Sequence, residues 1–440
     1  MRRVALAVGL GLALVACREA TPPSGPAPDP APRSAPAPAW SDAWLLAQGT
    51  TFLTDTPARR AALEASLTNP ANMYSRIRLA AYGLGDRGWD RLPVWNPRSL
   101  PVTKELVASL ARGETPPVPA DRPPLWDGVT PTTMEGWVAL GKRVFFEYPM
   151  RAEVFMEYAL TVPALADAVG VERLPNGDVP GLVVFKNIDG DTRVGITCAV
   201  CHATVKNGVL VPGQARRTFD YGKLRVTFDQ VHGTLASPRE ATRLLGWGPG
   251  RADVTEDNDE DPVAIPDLWG LRSQRWLTQA GTIRHDSPMA LAIRQETQLT
   301  DSNHALVRPP RELAWALAMY VYALAPPAPT TPPAPSPRGA QLFAGTCARC
   351  HANAAYGGPP ISAATVGTDP SLANGKGRGT GKYRIPSLLD VANGAPYLHH
   401  GVVASLEDLL SPARTIAGHR FGTSLSDDDR RALIAYLRTL

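Results

Sequence analysis

The chain has 440 residues, 44% of them hydrophobic and 20% charged, with a formal net charge of +4 at pH 7. This composition suits two or three domains with apolar cores, and so small a charge without a basic run gives no support to nucleic-acid binding. Proline is in excess at 44 residues, roughly twice its average share of about 5%, which predicts proline-rich linkers.

The N-terminus predicts export and lipid attachment. Residues 1–16 have two arginines directly after the first methionine and continue as an apolar run. This run is too short to span a bilayer as a mature helix. The run ends in Leu-Val-Ala-Cys, which resembles a bacterial lipobox, so we expect lipid on Cys17; an ordinary secretory signal is the alternative. Arg18 stands where inner-membrane lipoproteins usually carry aspartate, so we expect a periplasmic protein anchored in the outer membrane.

The other four cysteines lie in two nearly identical stretches, TCAVCHA at 197–203 and TCARCHA at 346–352. The Cys-x-x-Cys-His pattern is typical of c-type haem attachment. Two thiols one helical turn apart can add to the two vinyl groups of one haem, and the adjacent histidine can coordinate its iron. The sequence therefore predicts two covalent haems, held by Cys198, Cys201, His202, Cys347, Cys350 and His351.

Zinc and thiol redox chemistry explain the two motifs less well. A structural zinc site needs four ligands in tetrahedral arrangement, and pooling the four cysteines in one site would leave both trailing histidines without a role. A redox dithiol requires neither the histidine nor a second copy. An exported chain with no further cysteines is not a disulfide scaffold either.

The segment after the first motif is repeated after the second. IPDLWGL at 265 matches IPSLLDV at 385, and LTQAGTI at 277 matches YLHHGVV at 397, both 120 residues apart. ALAMYVYAL at 316 matches ALIAYLRTL at 432, an offset of 116 residues. Such a repeat indicates a duplicated supersecondary unit. We expect an all-α fold of two tandem cytochrome c-like domains behind a helical N-terminal extension.

Proline-rich stretches mark the expected boundaries, because they cannot build a core and extend as linkers. Ser336 is expected to cap a helix that has Pro337 at its first position, and Ser426 to cap the last helix. The expected units are a signal peptide (1–16), a lipid anchor with a proline-rich tether (17–39), the helical extension (40–133), a first haem domain with insertions (134–325), a proline-rich linker (326–337) and a second haem domain (338–440).

Several stretches resemble bacterial enzymes that carry two haems. RIPSLLDVANGAPYLHHGVVASLEDLL, at 384–410, resembles the C-terminal domain of bacterial dihaem cytochrome c peroxidases, and LGKRVFFEYP at 140–149 resembles the start of their first haem domain. The ending GHRFGTSLSDDDRRALIAYLRTL is similar to that of dihaem rubber oxygenases. The resemblance covers residues 134–440. It implies two haem c groups. It also implies that the protein reacts with a redox partner protein, which is a small cytochrome or a cupredoxin, or with peroxide.

The second haem is expected to lack a methionine ligand. Peroxidases of this family carry one where this chain has Ala413, and the last methionine in the chain is Met319. The imidazoles left in that region are His399, His400 and His419, and the resemblance favours His419 as the distal ligand. Ligation by two histidines lowers the reduction potential relative to histidine and methionine.

The distal ligand of the first haem is left open. His304 stands at nearly the same position of the repeat as His419, which favours it, but a vacant site remains an alternative. Thr218 occupies the position where the peroxidases have a distal histidine, which argues against a plain peroxidase mechanism. The other candidates are His285, Met289, Met319 and His232 as ligands, and Gln230, His232 and His285 as acid–base groups.

The acidic loop DVTEDNDEDP, at 253–262, offers several carboxylates. Carboxylate oxygens suit a hard cation such as calcium, and the resemblance implies calcium between the haem domains. A solvated acidic loop is the simpler interpretation.

Three functions fit these observations. We expect an exported dihaem c-type cytochrome that transfers electrons. One alternative is a peroxidase or oxygenase that reacts at an open first haem, with a nearby acid or base to assist cleavage of an O–O bond. Another is an envelope-anchored subunit that docks a partner through residues 40–133.

Overall fold

The computed structural model describes residues 38–253, 261–329 and 334–440. The predicted signal peptide, Cys17 and most of the tether lie outside the described residues, as do the middle of the acidic loop and part of the 326–337 linker. Helix makes up 42% of the structure and strand 12%. Within the described ranges, none of the helices is both long and apolar enough to cross a membrane.

The helices are α1 (Asp42–Thr54), α2 (Thr56–Ser66), α3 (Met73–Ala81), α4 (Lys104–Ala111), α5 (Met134–Glu147), α6 (Val154–Thr161), α7 (Pro163–Ala168), α8 (Ala199–His202), α9 (Tyr221–His232), α10 (Pro238–Leu245), α11 (Pro288–Ser302), α12 (Arg311–Ala323), α13 (Pro337–Thr346), α14 (Ala363–Val366), α15 (Ser371–Asn374), α16 (Leu406–Leu409) and α17 (Asp427–Leu437). The strands are β1 (Ser99–Val102), β2 (Arg151–Ala152), β3 (Val179–Lys186), β4 (Thr192–Ile196), β5 (Ala203–Lys206), β6 (Val209–Pro212), β7 (Arg251–Ala252), β8 (Val263–Ala264), β9 (Trp276–Leu277), β10 (Ile283–Arg284), β11 (Gly358–Ser362) and β12 (Lys382–Ile385).

The expectation of an all-α fold of two tandem domains was wrong. Strands β1, β3, β4 and β2 form one antiparallel sheet in that order, and the other strands pair as two-stranded ribbons. The central strand β3 has the sequence VPGLVVFK, and Val183, Val184 and Phe185 are fully buried. Branched and aromatic side chains favour extended backbone where both faces of a strand are covered, and this preference outweighed the helical pattern around it.

The N-terminal extension is part of the main core rather than a separate helical unit. Ser99 of β1 pairs with Phe185 of β3, so residues from the extension complete the sheet. Helix α1 packs on α12, where Phe52 stacks near Trp315 with ring centroids 5.5 Å apart. A Cβ on Gly49 would lie 2.7 Å from the Trp315 indole nitrogen, so this contact needs glycine.

A close helix crossing occurs twice, once beside each Cys-x-x-Cys-His motif. Helices α5 and α12 cross so tightly that a Cβ on Gly141 would lie 1.9 Å from the carbonyl oxygen of Ala316. Helices α13 and α17 cross in the same way, with a Cβ on Gly339 lying 2.1 Å from the carbonyl oxygen of Ala432. The two alanines are 116 residues apart, which is the offset of the sequence repeat.

The same aromatic pair supports both crossings. Phe145 of α5 meets Tyr320 of α12 with ring centroids 5.2 Å apart, and Phe343 of α13 meets Tyr436 of α17 at 5.3 Å. Each phenylalanine lies four residues after the crossing glycine, and each tyrosine four residues after the crossing alanine. Residues four apart lie on the same face of a helix, so glycine and ring together define the contact.

The two copies of the repeat also bind each other reciprocally. The amide of Ala264 donates to the carbonyl of His399 at 2.8 Å, and the amide of Arg384 donates to the carbonyl of Gln279 at 2.9 Å. Arg384 is the repeat equivalent of Ala264, and His399 is the equivalent of Gln279, each 120 residues later. The contact is therefore the same from both sides, as in an interface with two-fold symmetry.

Both predicted helix caps are confirmed. The Ser336 side chain accepts from the amide of Gly339 at the start of α13, with Pro337 at the first helical position. The Ser426 side chain accepts from the amide of Asp429 at the start of α17. Leu433 and Leu437 of the last helix are buried together with Phe343.

Replacing Gly339 by valine should force α13 and α17 apart, because the new side chain would overlap the Ala432 carbonyl. The expected loss is about 1–3 kcal/mol of unfolding free energy, as is typical for overpacking, measured by chemical denaturation. Gly345→Ala is the matched control, since Gly345 is on the same helix and a Cβ there meets nothing within 4 Å. Equal losses in the two variants would contradict the tight crossing.

Candidate functional site

The first Cys-x-x-Cys-His motif forms the short helix α8 between β4 and β5. The ring nitrogen Nδ1 of His202 faces the carbonyl oxygen of Pro266 at 3.1 Å. Because a carbonyl only accepts hydrogen bonds, Nδ1 carries the proton and Nε2 keeps a free lone pair. A metal-binding histidine is normally oriented in this way by a partner for its other ring nitrogen. Burial lowers the pKa of His202 to about 4, which keeps the ring neutral.

The second motif follows α13 and orients its histidine similarly. Nδ1 of His351 faces the carbonyl oxygen of Tyr356 at 2.6 Å. Pro386, the repeat equivalent of Pro266, lines the same cavity as His351, but the carbonyl that orients this histidine belongs to its own loop and not to the Ile-Pro segment. Burial lowers the pKa of His351, and its Nε2 is likewise available to a metal.

Each motif opens into its own cavity, which we call the first and the second cavity. The first holds about 710 Å³ and is lined by Cys198, Cys201 and His202. The second holds about 270 Å³ and is lined by the corresponding residues of the second motif. A single layer of side chains belongs to both linings and is called the shared wall: Ala264, Ile265, Pro266, Asp267, Gln279 and Arg384.

The thiols do not have the environment of a redox dithiol or of one pooled metal site. Burial raises the pKa values of Cys198, Cys201 and Cys347 to about 11, whereas reactive cysteines have lowered values. The two cysteine pairs line different cavities, and the described residues contain no cluster of three or more histidine, cysteine or carboxylate side chains able to hold a metal ion. Residues 254–260 of the acidic loop, where calcium was considered, lie outside the described residues.

In the second cavity His419 lies opposite His351. Their ring centroids are 6.5 Å apart, and two imidazoles that share one metal at about 2 Å per metal–nitrogen bond have centroids about 6 Å apart. Burial is the main cause that lowers the pKa of His419 to about 4, and its Nδ1 is buried without a hydrogen-bond partner among the described residues. The arrangement suits an iron between the two rings.

The other two histidines near the second cavity have different surroundings. His399 lines the cavity and stacks on Tyr383 with ring centroids 4.0 Å apart. His400 packs against His399 at 4.4 Å and is not among the lining residues. Both are half-buried in the segment that joins the two repeats, and Nδ1 of His400, like that of His419, has no hydrogen-bond partner among the described residues.

His304 precedes His419 by 115 residues, close to the repeat offset of 116, and it lines the first cavity but is exposed. Both residues have left-handed backbone, with φ of 55° at His304 and 47° at His419. This conformation is uncommon outside glycine, but the two amides bind different partners, the carbonyls of Asp301 and Val366. The exposure of His304 distinguishes it from the half-buried His419.

His285, Met289 and Met319 do not line the first cavity, contrary to their candidacy as ligands. His285 is fully buried, and its Nδ1 lies 2.8 Å from the carbonyl oxygen of Gln274. Nε2 therefore accepts from the Tyr322 hydroxyl at 2.5 Å. Met289 and Met319 belong to the main apolar core. These three side chains stabilise the α11–α12 region instead.

The residues considered as acid–base groups do not line the first cavity either. Gln230 and His232 are exposed on α9 and absent from the cavity lining, and the His232 ring stacks on Phe228 at 3.9 Å. Thr218 is exposed and donates to Glu172 at 3.0 Å. Thr218 does not line the first cavity, so this position does not provide a distal ligand.

Sequence reasoning missed the arginines of the first cavity. The lining includes Arg78, Arg151, Arg251, Arg294, Arg378 and Arg384. Three aspartates, among them Asp301, line the same cavity, so cations outnumber carboxylates there. Arg384 alone had a sequence signal, because it directly precedes the second Ile-Pro. The others come from distant parts of the chain and form a group only after folding.

Comparison with known proteins agrees with this geometry at the C-terminus. Residues 336–440 match the cytochrome c family model, so this part of the chain is a cytochrome c domain, which implies covalently bound haem c and electron transfer. A solved MauG-like protein associated with microbial copper homeostasis is similar at 19% identity, covering 44% of this chain and 78% of its own, with a TM-score of 0.32. A search of curated proteins found no match.

Tyr322→Phe should destabilise the protein without changing the absorption spectrum of the bound haem. The variant leaves Nε2 of buried His285 without a partner, which costs about 1–3 kcal/mol. Tyr148→Phe is the matched control, because the buried Tyr148 hydroxyl has no hydrogen-bond partner among the described residues. Chemical denaturation measures the loss. A shifted haem spectrum in Tyr322→Phe would restore His285 as a ligand candidate.

Proposed function

We propose that the chain is a c-type cytochrome that carries two haems and passes electrons between them and an external redox partner. The observation that carries the proposal is the shared wall. Two cavities, each with its own Cys-x-x-Cys-His motif, have one layer of residues between them. Two redox groups held at so short a separation would exchange electrons readily.

The residues present fit haem at both motifs. The cysteines of each motif stand beside a histidine whose Nδ1 is held by a carbonyl and whose Nε2 is free, as a proximal ligand requires. When bound, haem supplies an iron that cycles between two oxidation states. The chain contributes covalent attachment, ligand orientation and burial, and these set the reduction potential.

His419 is our proposed distal ligand of the second haem. The half-buried ring opposite His351 supports a six-coordinate, low-spin iron, which suits electron transfer rather than substrate binding. His304 is our proposed ligand candidate in the first cavity, because it lines that cavity and lies close to the repeat position of His419. Its exposure predicts weaker or dispensable ligation there.

The larger first cavity, whose histidine candidate His304 is exposed, favours a second candidate function. An iron without a strong distal ligand could bind a small molecule such as peroxide, and the cavity provides Arg294, Gln295 and Gln298 as hydrogen-bonding groups. The protein would then be a peroxidase- or oxygenase-type enzyme in which the second site serves as the electron relay.

Location, anchoring and partner are proposed from the sequence. The signal-like N-terminus and Cys17 support a lipid-anchored protein on the periplasmic side of the outer membrane. Export also suits covalent haem attachment, which takes place outside the cytoplasm. The proposed partner is a small cytochrome or cupredoxin, and the carboxylates of the acidic loop at 253–262 are the proposed ligands of a calcium ion.

The decisive experiment is the haem-to-protein ratio of the purified protein, followed by electron paramagnetic resonance of the ferric and half-reduced forms. A ratio of two with both irons low-spin and unchanged by cyanide supports the electron carrier. A ratio of two with one high-spin iron that binds cyanide or turns over peroxide supports the enzyme. A ratio of one would refute the dihaem proposal.

His419→Ala should convert one haem from low-spin to high-spin in the ferric protein, because its iron loses an imidazole. Added imidazole should restore the low-spin spectrum, since the variant leaves a ring-sized space opposite His351. His304→Ala is the matched variant at the equivalent position and should leave the second haem unchanged. A His419→Ala protein with both spectra unaltered would remove His419 from the ligand set.

A further inference from the structure

Arg384 lies at the point where the two cavities meet. It belongs to β12, directly before Ile385 and Pro386, and it lines both cavities. Its amide is held by the carbonyl of Gln279 at 2.9 Å, in the reciprocal contact between the two repeats. The backbone that carries this side chain is therefore fixed in the shared wall.

The charge of Arg384 is unpaired within the described parts of the chain. Its guanidinium makes no ion pair or hydrogen bond with any described residue, and its Nε is buried without a partner. Burial alone lowers its pKa to about 10, so it remains a cation at neutral pH. The residue is half-buried and lines two cavities. A charge that is partly withdrawn from water and has no counter-ion is unfavourable, so the position suits an anion bound in the cavities.

Two neighbouring arginines differ in this respect. Arg78 pairs with Asp301 at 2.8 Å, and Arg217, which lines the second cavity, pairs with Asp267 at 2.9 Å. Asp267 belongs to the shared wall, yet it serves Arg217 and not Arg384. The fold thus compensates these two cations internally and leaves the one between the cavities for something else.

The repeat places only one cation at this position. Ala264, the equivalent of Arg384, also lines both cavities. Ala264 carries only a methyl group, so of these two equivalent positions only Arg384 provides a cation to the two cavities. A guanidinium has five N–H donors in a planar fork, which is enough for carboxylates from two directions.

We propose that Arg384 is a shared anchor for the propionate carboxylates of both haems. This inference rests on the proposed dihaem function, since each haem brings two propionates and no other anion is required by both motifs. A fixed positive charge near both irons favours their reduced forms, so Arg384 raises both reduction potentials together. It is a positioning residue with an electrostatic effect on two sites at once.

The test is a spectroelectrochemical titration of the holoprotein and its variants. Arg384→Met removes the charge at similar length and should lower the reduction potentials of both haems. Arg384→Lys keeps the charge without the fork and should recover part of the loss in both. If Arg384→Met lowers the reduction potential of only one haem, or of neither haem, the shared anchor is overturned.

Two arginines serve as controls that each line only one of the cavities. Arg349 lines the second cavity, is exposed, and lies over the Phe421 ring at 5.2 Å. Arg294 lines the first cavity close to Cys198. Arg349→Met should affect at most the second haem, and Arg294→Met mainly the first. If Arg349→Met lowers both potentials as Arg384→Met does, the effect is one of net charge and the anchor is refuted.

The haem-to-protein ratio distinguishes a failure of the Arg384 anchor from a failure of the proposed dihaem function. A wild-type ratio of one refutes the dihaem function. A ratio of two with both potentials insensitive to Arg384→Met leaves the dihaem function standing and refutes the anchor. Unchanged spin states in the variants would show that the axial ligands are intact, so the shifts would report charge.

Discussion

The reciprocal pairing of the two repeats is the constraint on which the site depends. Ala264 binds His399, and Arg384 binds Gln279, through backbone hydrogen bonds of 2.8 and 2.9 Å. These bonds hold the two Ile-Pro segments in one wall. Pro266 of the first segment faces His202 of the first motif, and Pro386 of the second lines the cavity of His351, so one contact between the copies places both segments beside the candidate metal ligands.

The helix crossings provide the rigid support for this arrangement. Glycine at the crossing lets α5 approach α12 and α13 approach α17 until backbone meets backbone, and a phenylalanine–tyrosine pair packs beside each contact. Close-packed crossings of this kind resist deformation, so the motifs that follow them occupy defined positions. The sheet and the N-terminal helices enlarge the core around the first crossing only, which is why the two halves differ in size.

The duplicated plan has been modified in ways that separate the two sites chemically. His419 is half-buried opposite His351, whereas His304 at nearly the same repeat position is exposed and lines a larger cavity. Arg384 faces both cavities while its equivalent is Ala264. Burial and charge are the means by which a protein adjusts redox groups of one chemical type, and both differ between the halves.

The amino-acid sequence alone was enough to identify the two Cys-x-x-Cys-His motifs, the repeat with its offset of 120 residues, the caps at Ser336 and Ser426, and the lack of methionine after Met319. These features are local or can be counted, so they can be recognised without knowledge of the fold. Three others became visible only in the folded chain: β1 from the N-terminal extension completes a sheet, His285 bonds Tyr322 inside the core, and Arg384 lies between the cavities. Each of these depends on contacts between residues far apart in the chain, and a pattern read along the sequence carries no information about which distant groups become neighbours.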